Sequence, residues 1–458
     1  MRPHPKIAAR FSTSPKRGGS IAHLALGALL FLATPAAAAP VVTQFTLPNR
    51  MQVVVIPDHR APVVTQMIWY RVGGADDPPG HSGLAHFFEH MMFRGTKAHA
   101  GDSFARLIAR NGGENNAFTT EDYTAFYEQI ARDRLKLVMD LEADRMAHLD
   151  LGDASVRTER DVVLEERRMR VDNNPASLAA EQVDAALYLS HPYGRPVIGW
   201  PQEVHRLDRA QAQAFYDHHY APNNAILVVV GDVTPDEVRA DAADTLARVP
   251  QRPLEPRVDH AEPARLGPTR LDIARPDVAV PSFTRTWRVT SYAQRKPGQA
   301  EALDVLAQIL GGDSTSLLYR KLVVEQKLAT EAGAGYDGDA RDSGSFSVYA
   351  APRPGVSLDT LERAVDAVLA QFARTVPAAA DLAHAKTAIV AAEVYRADSQ
   401  LTLATGYGQA LVVGLTVADV QDWPRRIEAV RADAVRAAAL QWLIPAESVT
   451  LHLTPAKP

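Results

Sequence analysis

A proline-rich segment constrains the fold of this 458-residue chain more than any other sequence feature. Residues 250–268, PQRPLEPRVDHAEPARLGP, contain five prolines and many charges. Proline lacks an amide donor and restrains the residue before it, so regular structure does not run easily through this segment. We therefore predict a linker at 250–268 between two domains of ordinary size, at 39–249 and 269–458.

The two predicted domains share one order of elements, which indicates an internal duplication. Each begins with a pair of alternating strands, continues with an apolar helix and ends with a strand. The corresponding ranges are 52–56 and 270–274, 64–71 and 282–289, 83–94 and 299–310, and 225–230 and 448–453. We expect an α+β fold of two duplicated domains, each a mainly antiparallel sheet packed with helices.

Residues 1–38 are predicted to be a signal peptide. They carry five Lys or Arg residues and no acid, and an apolar run of ten residues at 24–33 is followed by small residues at 36–38. Ten apolar residues are too few for a membrane span, which needs about 20. We expect a periplasmic or secreted protein with no stable span after cleavage. The same composition leaves a mitochondrial transit peptide open, and a retained leader would tether the chain to a membrane.

The chain has no cysteine and a formal net charge of −5. The first fact excludes disulfides, thiol nucleophiles and zinc sites built from thiolates. The second gives no reason to expect nucleic acid as a partner. Any metal site must therefore use histidines and carboxylates.

The sequence His86-Phe87-Phe88-Glu89-His90 lies within an apolar segment, GLAHFFEHMMFRGT. The pattern predicts a helix of about three turns that is capped by Ser82 and ends near Arg94. His86 and His90 are one turn apart, so both imidazoles can reach one ion, while Glu89 can take a proton from water. Each polar group on such a helix would cost about 2–7 kcal/mol if it were buried without a partner. The alternative interpretation is two core histidines satisfied by hydrogen bonds.

A third metal ligand is needed, because catalytic zinc usually takes three protein ligands and a water. In a chain without cysteine this ligand is expected to be His, Asp or Glu, and several downstream residues are candidates, among them the carboxylates of the helical segment 158–167. In this segment Glu159 and Glu166 share one face with Val163. Without the histidine motif, the segment would be interpreted as a solvated helix. The carboxylates Asp76 and Asp77 are interpreted as part of a polar turn.

The H-x-x-E-H order resembles that of the inverzincin, or pitrilysin-like, metallopeptidases. Further stretches resemble the family in sequence and order, at 111–127, 159–168, 191–199 and 220–233. The chain length is similar to that of the two-domain subunits related to mitochondrial processing peptidase and of bacterial heterodimeric peptidases. The resemblance implies a zinc-dependent endopeptidase that cleaves peptides or unfolded segments in an enclosed chamber, with this chain as one clam-like half.

Residue by residue, the resemblance implies a set of roles. It makes His86, His90 and Glu166 the zinc ligands and Glu89 the catalytic residue that activates water. Glu159 becomes the partner that orients a ligand. A peptide substrate is expected to add as a strand to an edge strand of the sheet. The residues of that edge are Asn116, Ala117, Phe118 and Thr119.

The second domain lacks the zinc residues, and it departs from the family at one pair of positions. Residues 303–307 (LDVLA) and Ala392 occupy the places of the zinc motif and of Glu166, so one Zn²⁺ per chain is expected. Many active members also carry an Arg and a Tyr that contact the substrate carbonyl, and Val323 and Thr330 stand at these places. The resemblance therefore implies a heterodimer in which a homologous subunit supplies the Arg/Tyr pair. The alternative is a non-catalytic structural or peptide-holding subunit.

Overall fold

The computed structural model describes residues 41–294 and 296–456, so the predicted signal peptide lies outside the described residues. The described chain contains two β-sheets, each packed with helices. Residues 249–268, between the last helix of the first half and the first strand of the second sheet, contain no helix or strand. The predicted α+β fold with two halves is confirmed.

The helices and strands are given with their bounds, numbered along the chain. The strands are β1 (Thr43–Thr46), β2 (Gln52–Pro57), β3 (Val63–Tyr70), β4 (Glu114–Thr119), β5 (Thr124–Ala131), β6 (Ala225–Gly231), β7 (Thr269–Arg275), β8 (Ser282–Thr290), β9 (Ala329–Asp337), β10 (Ser343–Pro352) and β11 (Ser448–Pro455). The α-helices are α1 (Leu84–Met91), α2 (Ser103–Arg110), α3 (Leu135–His148), α4 (Asp153–Arg167), α5 (Pro175–Leu187), α6 (Pro201–Val204), α7 (Arg209–His219), α8 (Pro235–Asp244), α9 (Gln299–Gly311), α10 (Leu358–Arg374), α11 (Ala379–Arg396), α12 (Gln400–Val412), α13 (Val417–Ala429) and α14 (Ala432–Trp442). Among the described residues no single helix is long and apolar enough to cross a membrane, and α12 and α13 meet that test only as a pair bent by 105°.

The two sheets have the same topology, which confirms the predicted duplication. The strand order is β1-β2-β6-β3-β5-β4 in the first sheet and β7-β11-β8-β10-β9 in the second. Without β1, the two orders correspond strand for strand. Each sheet has one parallel pair, β2 with β6 and β7 with β11, and the other neighbours are antiparallel. Both sheets are therefore mainly antiparallel, as predicted.

The two halves exchange one helix each. Helix α5 of the first half packs its Val183 and Leu187 against Leu451 of the second sheet. Helix α12 of the second half packs its Tyr407 against Trp69 on the first sheet. Burial of apolar surface contributes about 25 cal/mol per Å², so separating the halves would expose two apolar faces at a large cost. The sheets are thus held together by each other's helices.

We predict that a methyl group at Gly408 destabilises the packing of α12 on the first sheet. An added Cβ at Gly408 would lie 2.1 Å from the Trp69 indole, whereas nothing lies within 4 Å of a Cβ at Gly406 on the same helix. Overpacking of this kind costs about 1–3 kcal/mol, while Gly→Ala in a helix otherwise gains about 0.5–1 kcal/mol. Gly408→Ala should therefore lower the thermal unfolding midpoint, and Gly406→Ala should keep or raise it. Equal midpoints for the two variants would contradict this packing.

Candidate metal centre

Helix α1 lies in the core of the first half. Its Leu84, Phe87, Phe88 and Met91 side chains are buried against the sheet. The helix has eight residues and is shorter than the predicted three turns. It begins after Gly83, whose φ of 87° lies in the left-handed region, and it ends at Met91, three residues before Arg94. The expected Ser82 cap is wrong. The Ser82 hydroxyl instead accepts a hydrogen bond from the Trp200 amide (2.9 Å).

The N-terminus of α1 is held by Asp77, whose role the sequence did not reveal. The buried Asp77 carboxylate accepts hydrogen bonds from the amides of Gly83 (2.7 Å) and Ala85 (2.8 Å). Burial raises the pKa of Asp77 to about 8, although both amide hydrogen bonds act to lower it. A carboxyl group at this position satisfies amides that the helix leaves unpaired. Asp77 lies outside the usual capping position, so no local pattern signals it.

The structure brings His86, His90 and Glu166 together. Their potential ligand atoms all lie within 4.8 Å of one another. Glu166 Oε2 is 3.1 Å from His90 Nε2 and 3.8 Å from His86 Nε2. Zinc bonds of about 2.0–2.2 Å in a tetrahedral site separate ligand atoms by about 3.3 Å, so these residues fit a zinc ion. Glu165, the adjacent carboxylate, instead pairs with Arg168 and is 54% exposed.

Glu159 supports this group from α4. Its side chain is 1% exposed, and Oε2 lies 3.3 Å from His90 Nδ1. In the neutral ring, a proton on Nδ1 that is donated to Glu159 leaves the lone pair of His90 Nε2 on the side of Glu166. The other Glu159 oxygen forms an ion pair with Arg94, which the sequence had suggested only as a helix end. Glu159 therefore fixes both the tautomer and the orientation of His90.

The electrostatics of the group favour positive charge. Burial lowers the pKa of His90, but hydrogen bonds to Glu159 and Glu166 outweigh it and raise the pKa to about 9. Burial acts to raise the pKa of Glu166, yet its hydrogen bond with His90 and the charges of His86 and Arg170 lower it to about 2. Carboxylates that stay ionised and hold a proton on an imidazole would equally stabilise a cation in its place.

Glu89 lies on the same helix but outside the three-residue group. Its side chain is buried, and Oε2 accepts a hydrogen bond from the Thr119 hydroxyl (2.6 Å). Burial raises the pKa of Glu89 to about 7, against the opposing effects of His90 and Thr119. A carboxyl group whose pKa lies near 7 can take up and release a proton at neutral pH.

Strand β4 carries the predicted substrate residues. It is the last strand of its sheet, and among the described residues no strand pairs with its second edge. The amide of Ala117 donates to the Asn116 side chain (2.9 Å). Phe118 packs edge-on against Trp69, with 5.5 Å between ring centroids, whereas Thr119 reaches Glu89. The strand therefore ends directly beside the candidate catalytic residue.

In the second half, an arginine and a tyrosine lie near the positions of the family's Arg/Tyr pair, but both side chains make contacts within this half. Arg320 pairs with Asp381 (3.1 Å), and the Tyr336 hydroxyl donates to the Thr290 carbonyl (2.8 Å). Val323, at the place of the family's Arg, is buried in the core of the second half.

A second group of potential ligands lies in the second half. Asp359, Glu362 and His452 also have ligand atoms within 4.8 Å of one another. Arg270 donates to His452 Nδ1 (3.0 Å) and to both carboxylates. Since Nδ1 accepts this hydrogen bond, the neutral ring carries its proton on Nε2 and offers no lone pair there. The Arg270 guanidinium thus already occupies the place of a cation in this group.

Comparisons with known proteins identify the family. A model described as "Insulinase (Peptidase family M16)" matches residues 52–200, and one described as "Peptidase M16 inactive domain" matches residues 206–389. An uncharacterized zinc protease of Mycobacterium leprae is 33% identical over 342 residues, which cover 72% of this chain and 74% of that protein. The chain belongs to peptidase family M16.

Other M16 proteins extend the similarity over nearly the whole chain. A probable mitochondrial-processing peptidase subunit beta of Arabidopsis thaliana is 24% identical over 413 residues, 88% of this chain and 77% of that protein. The crystal structure of a protease from Helicobacter pylori has a TM-score of 0.85 and 26% identity, and the match covers 91% of this chain and all of that one. These findings confirm the resemblance to the pitrilysin-like peptidases and support zinc as the cofactor.

We predict that Glu166 and its neighbour Glu165 differ in metal binding. Glu166→Gln removes the charged oxygen beside both imidazoles and should lower zinc affinity by at least tenfold, because a neutral amide is a poor zinc ligand. Glu165→Gln makes the same chemical change one residue away and should leave zinc affinity as in the wild type. Zinc titration against a competing chelator measures both. Loss of zinc in the Glu165 variant alone would reverse the assignment.

Proposed function

We propose that this M16 protein is a zinc-dependent endopeptidase that cleaves peptides or unfolded segments in an enclosed chamber. The observation that carries the proposal is the meeting of Glu166, on α4, with His86 and His90, which lie on the buried helix α1 together with Glu89. His86, His90 and Glu166 are suited to bind a zinc ion, and Glu89 is suited to carry a proton. One Zn²⁺ per chain is part of the proposal.

The proposed mechanism divides the work among these residues. His86, His90 and Glu166 would hold zinc, and Glu159 would orient His90. When bound, zinc supplies Lewis-acid chemistry, polarising the peptide carbonyl and making water more acidic. Glu89 would take the proton of the attacking water on its carboxylate and pass it to the leaving amine.

The substrate is proposed to lie along β4. The unpaired edge of Asn116, Ala117, Phe118 and Thr119 would accept a peptide as an added strand, with backbone hydrogen bonds that do not depend on its sequence. A substrate on this edge would run past the end of β4, where Thr119 meets Glu89. Extended, unfolded segments suit such an edge better than folded proteins.

The place of action and the domain limits are also proposals. We propose a periplasmic or secreted enzyme, released by cleavage of residues 1–38, with a mitochondrial or membrane-tethered form as the alternative. The mature chain would then consist of a zinc-bearing domain at 39–249, a linker at 250–268 and a homologous domain at 269–458. Sequencing the N-terminus of the purified native protein tests the leader.

We predict that Glu89→Gln abolishes turnover and leaves zinc in place. The amide cannot accept the proton of the water, whereas the three proposed ligands are unchanged. A fluorogenic peptide assay and zinc analysis on the same preparation measure the two effects, and removal of zinc from the wild type with a chelator should abolish cleavage reversibly. Peptide cleavage that persists in the Glu89 variant would refute the mechanism.

We further propose a heterodimer with a homologous subunit that supplies the Arg/Tyr pair. The buried position of Val323 supports supply from another chain, because an arginine in that core would be costly to bury. The loss of one oxyanion donor typically costs about 10²–10³ in rate, so the isolated chain should be slow.

The heterodimer predicts that a homologous chain with the Arg/Tyr pair and no H-x-x-E-H motif raises kcat by at least tenfold. The test adds such a chain to this protein and measures peptide cleavage together with the mass of the complex in solution. The matched control is the same partner with its Arg and Tyr replaced, which should no longer raise kcat. If the chain binds no zinc and never cleaves, the alternative of a structural or peptide-holding subunit is favoured.

A further inference from the structure

We propose that Thr119 positions the general base, and that it couples the docking of a peptide on β4 to proton transfer by Glu89. The proposal rests on the function proposed above, in which Glu89 is the base of a zinc endopeptidase. It gives the Thr119 side chain a positioning role in addition to the place of its backbone on the edge strand.

The hydrogen bonds define where the Thr119 proton goes. Thr119 Oγ1 lies 2.6 Å from Glu89 Oε2 and 3.3 Å from Thr124 Oγ1. Thr124 donates its own proton to the Val72 carbonyl (3.0 Å). A hydroxyl has one proton to give, and a carboxylate at the shorter distance is the stronger acceptor. The Thr119 hydroxyl therefore donates to Glu89.

This hydrogen bond defines the orientation of the Glu89 carboxylate. With Oε2 held by Thr119, the rotation of the carboxylate is restricted and Oε1 remains for the proton of the attacking water. A base must lie within hydrogen-bond reach of the proton that it takes, and small displacements are costly in rate. The neighbouring Phe87 and Phe88 side chains of α1 cannot supply this restraint, because they are apolar and buried in the core.

The alternation of side chains along β4 connects the base to the substrate edge. Ala117 and Thr119 face α1, and Ala117 belongs to the same core as that helix. Phe118 points to the opposite face and packs with Trp69. The Thr119 side chain thus reaches Glu89 while its backbone lies on the edge that a peptide would pair with. An added strand would therefore contact the backbone of the same residue whose hydroxyl holds the carboxylate.

Two substitutions at Thr119 and one at Thr120 test the proposal. Thr119→Val removes the hydroxyl at nearly constant shape, and Thr119→Ser keeps it. Thr120→Val is the matched control, because the Thr120 hydroxyl accepts from the amides of Asp122 (3.2 Å) and Tyr123 (3.3 Å) in the adjoining turn. The measurements are kcat and KM for a fluorogenic peptide, zinc content, the visible absorption of the cobalt-substituted protein, and the thermal midpoint.

We expect Thr119→Val to lower kcat about ten- to hundredfold, as for the loss of a hydrogen bond to a charged group. Its KM, zinc content and cobalt spectrum should remain those of the wild type, and Thr119→Ser should restore most of kcat. Thr120→Val should keep kcat within about threefold.

Substrate length tests the coupling itself. In the wild type, kcat should rise when a short peptide is extended so that it pairs along β4, because remote binding energy is used at the reacting centre. Thr119→Val should lose this rise.

The outcomes separate this proposal from the proposed function. An unchanged kcat in Thr119→Val, an effect on KM alone, or an equal loss in Thr120→Val would each overturn the positioning role while wild-type cleavage stands. A wild-type rise with length that Thr119→Val keeps would overturn the coupling. Absence of zinc-dependent cleavage by the wild type would instead refute the proposed function. If Thr119→Val melts at a lower temperature, Thr119→Ser with wild-type kcat and midpoint still tests whether the hydroxyl is what matters.

Discussion

The burial of three ionisable side chains on one short apolar helix is the constraint on which the rest of the first half depends. His86, Glu89 and His90 all lie on α1 inside the core, where an unpaired polar group costs several kcal/mol. Each of them finds a partner on another element: α4 brings Glu166 to the imidazoles, and β4 brings Thr119 to Glu89. The site can therefore form only when helix, sheet and α4 are packed together.

Arg167, Gly199 and Gly83 form a contact between α4 and the start of α1, which we call the clamp. Gly199 belongs to the segment 191–199, which resembles the family. Arg167, buried at the end of α4, pairs with Glu181 (2.7 Å) and donates to the Gly199 carbonyl (2.9 Å). Gly199 in turn lies against Gly83 at the start of α1, where an added Cβ on Gly83 would come within 2.8 Å of the Gly199 Cα. Glycine is needed at both positions, because both have a positive φ and the backbones approach closely. The clamp sets the distance between α1 and α4, and with it the distance between imidazoles and carboxylate.

What could be predicted from the sequence is what local spacing encodes. Two histidines one turn apart share a face in any α-helix. The alternation of apolar and polar residues likewise predicts well where strands occur. Glu159 and Glu166 were expected on one face of α4, and both contact His90 in the structure. Asp77 at the N-terminus of α1 and the exchange of α5 and α12 between the sheets were not predicted. They depend on which surfaces meet in three dimensions, and no periodicity in a single sequence records that.

The duplication explains how one half can carry the candidate metal centre while the other half, with the same topology, lacks its residues. Helices α9 and α11 occupy the places of α1 and α4 in the second half, but Leu303 and Leu306 are buried where the first half has polar side chains. An apolar pair in this place needs no carboxylate partner, no clamp and no cation, so the same topology remains stable without them. Helix α12 of the second half completes the core of the first sheet, so the stability of the first half depends on the second.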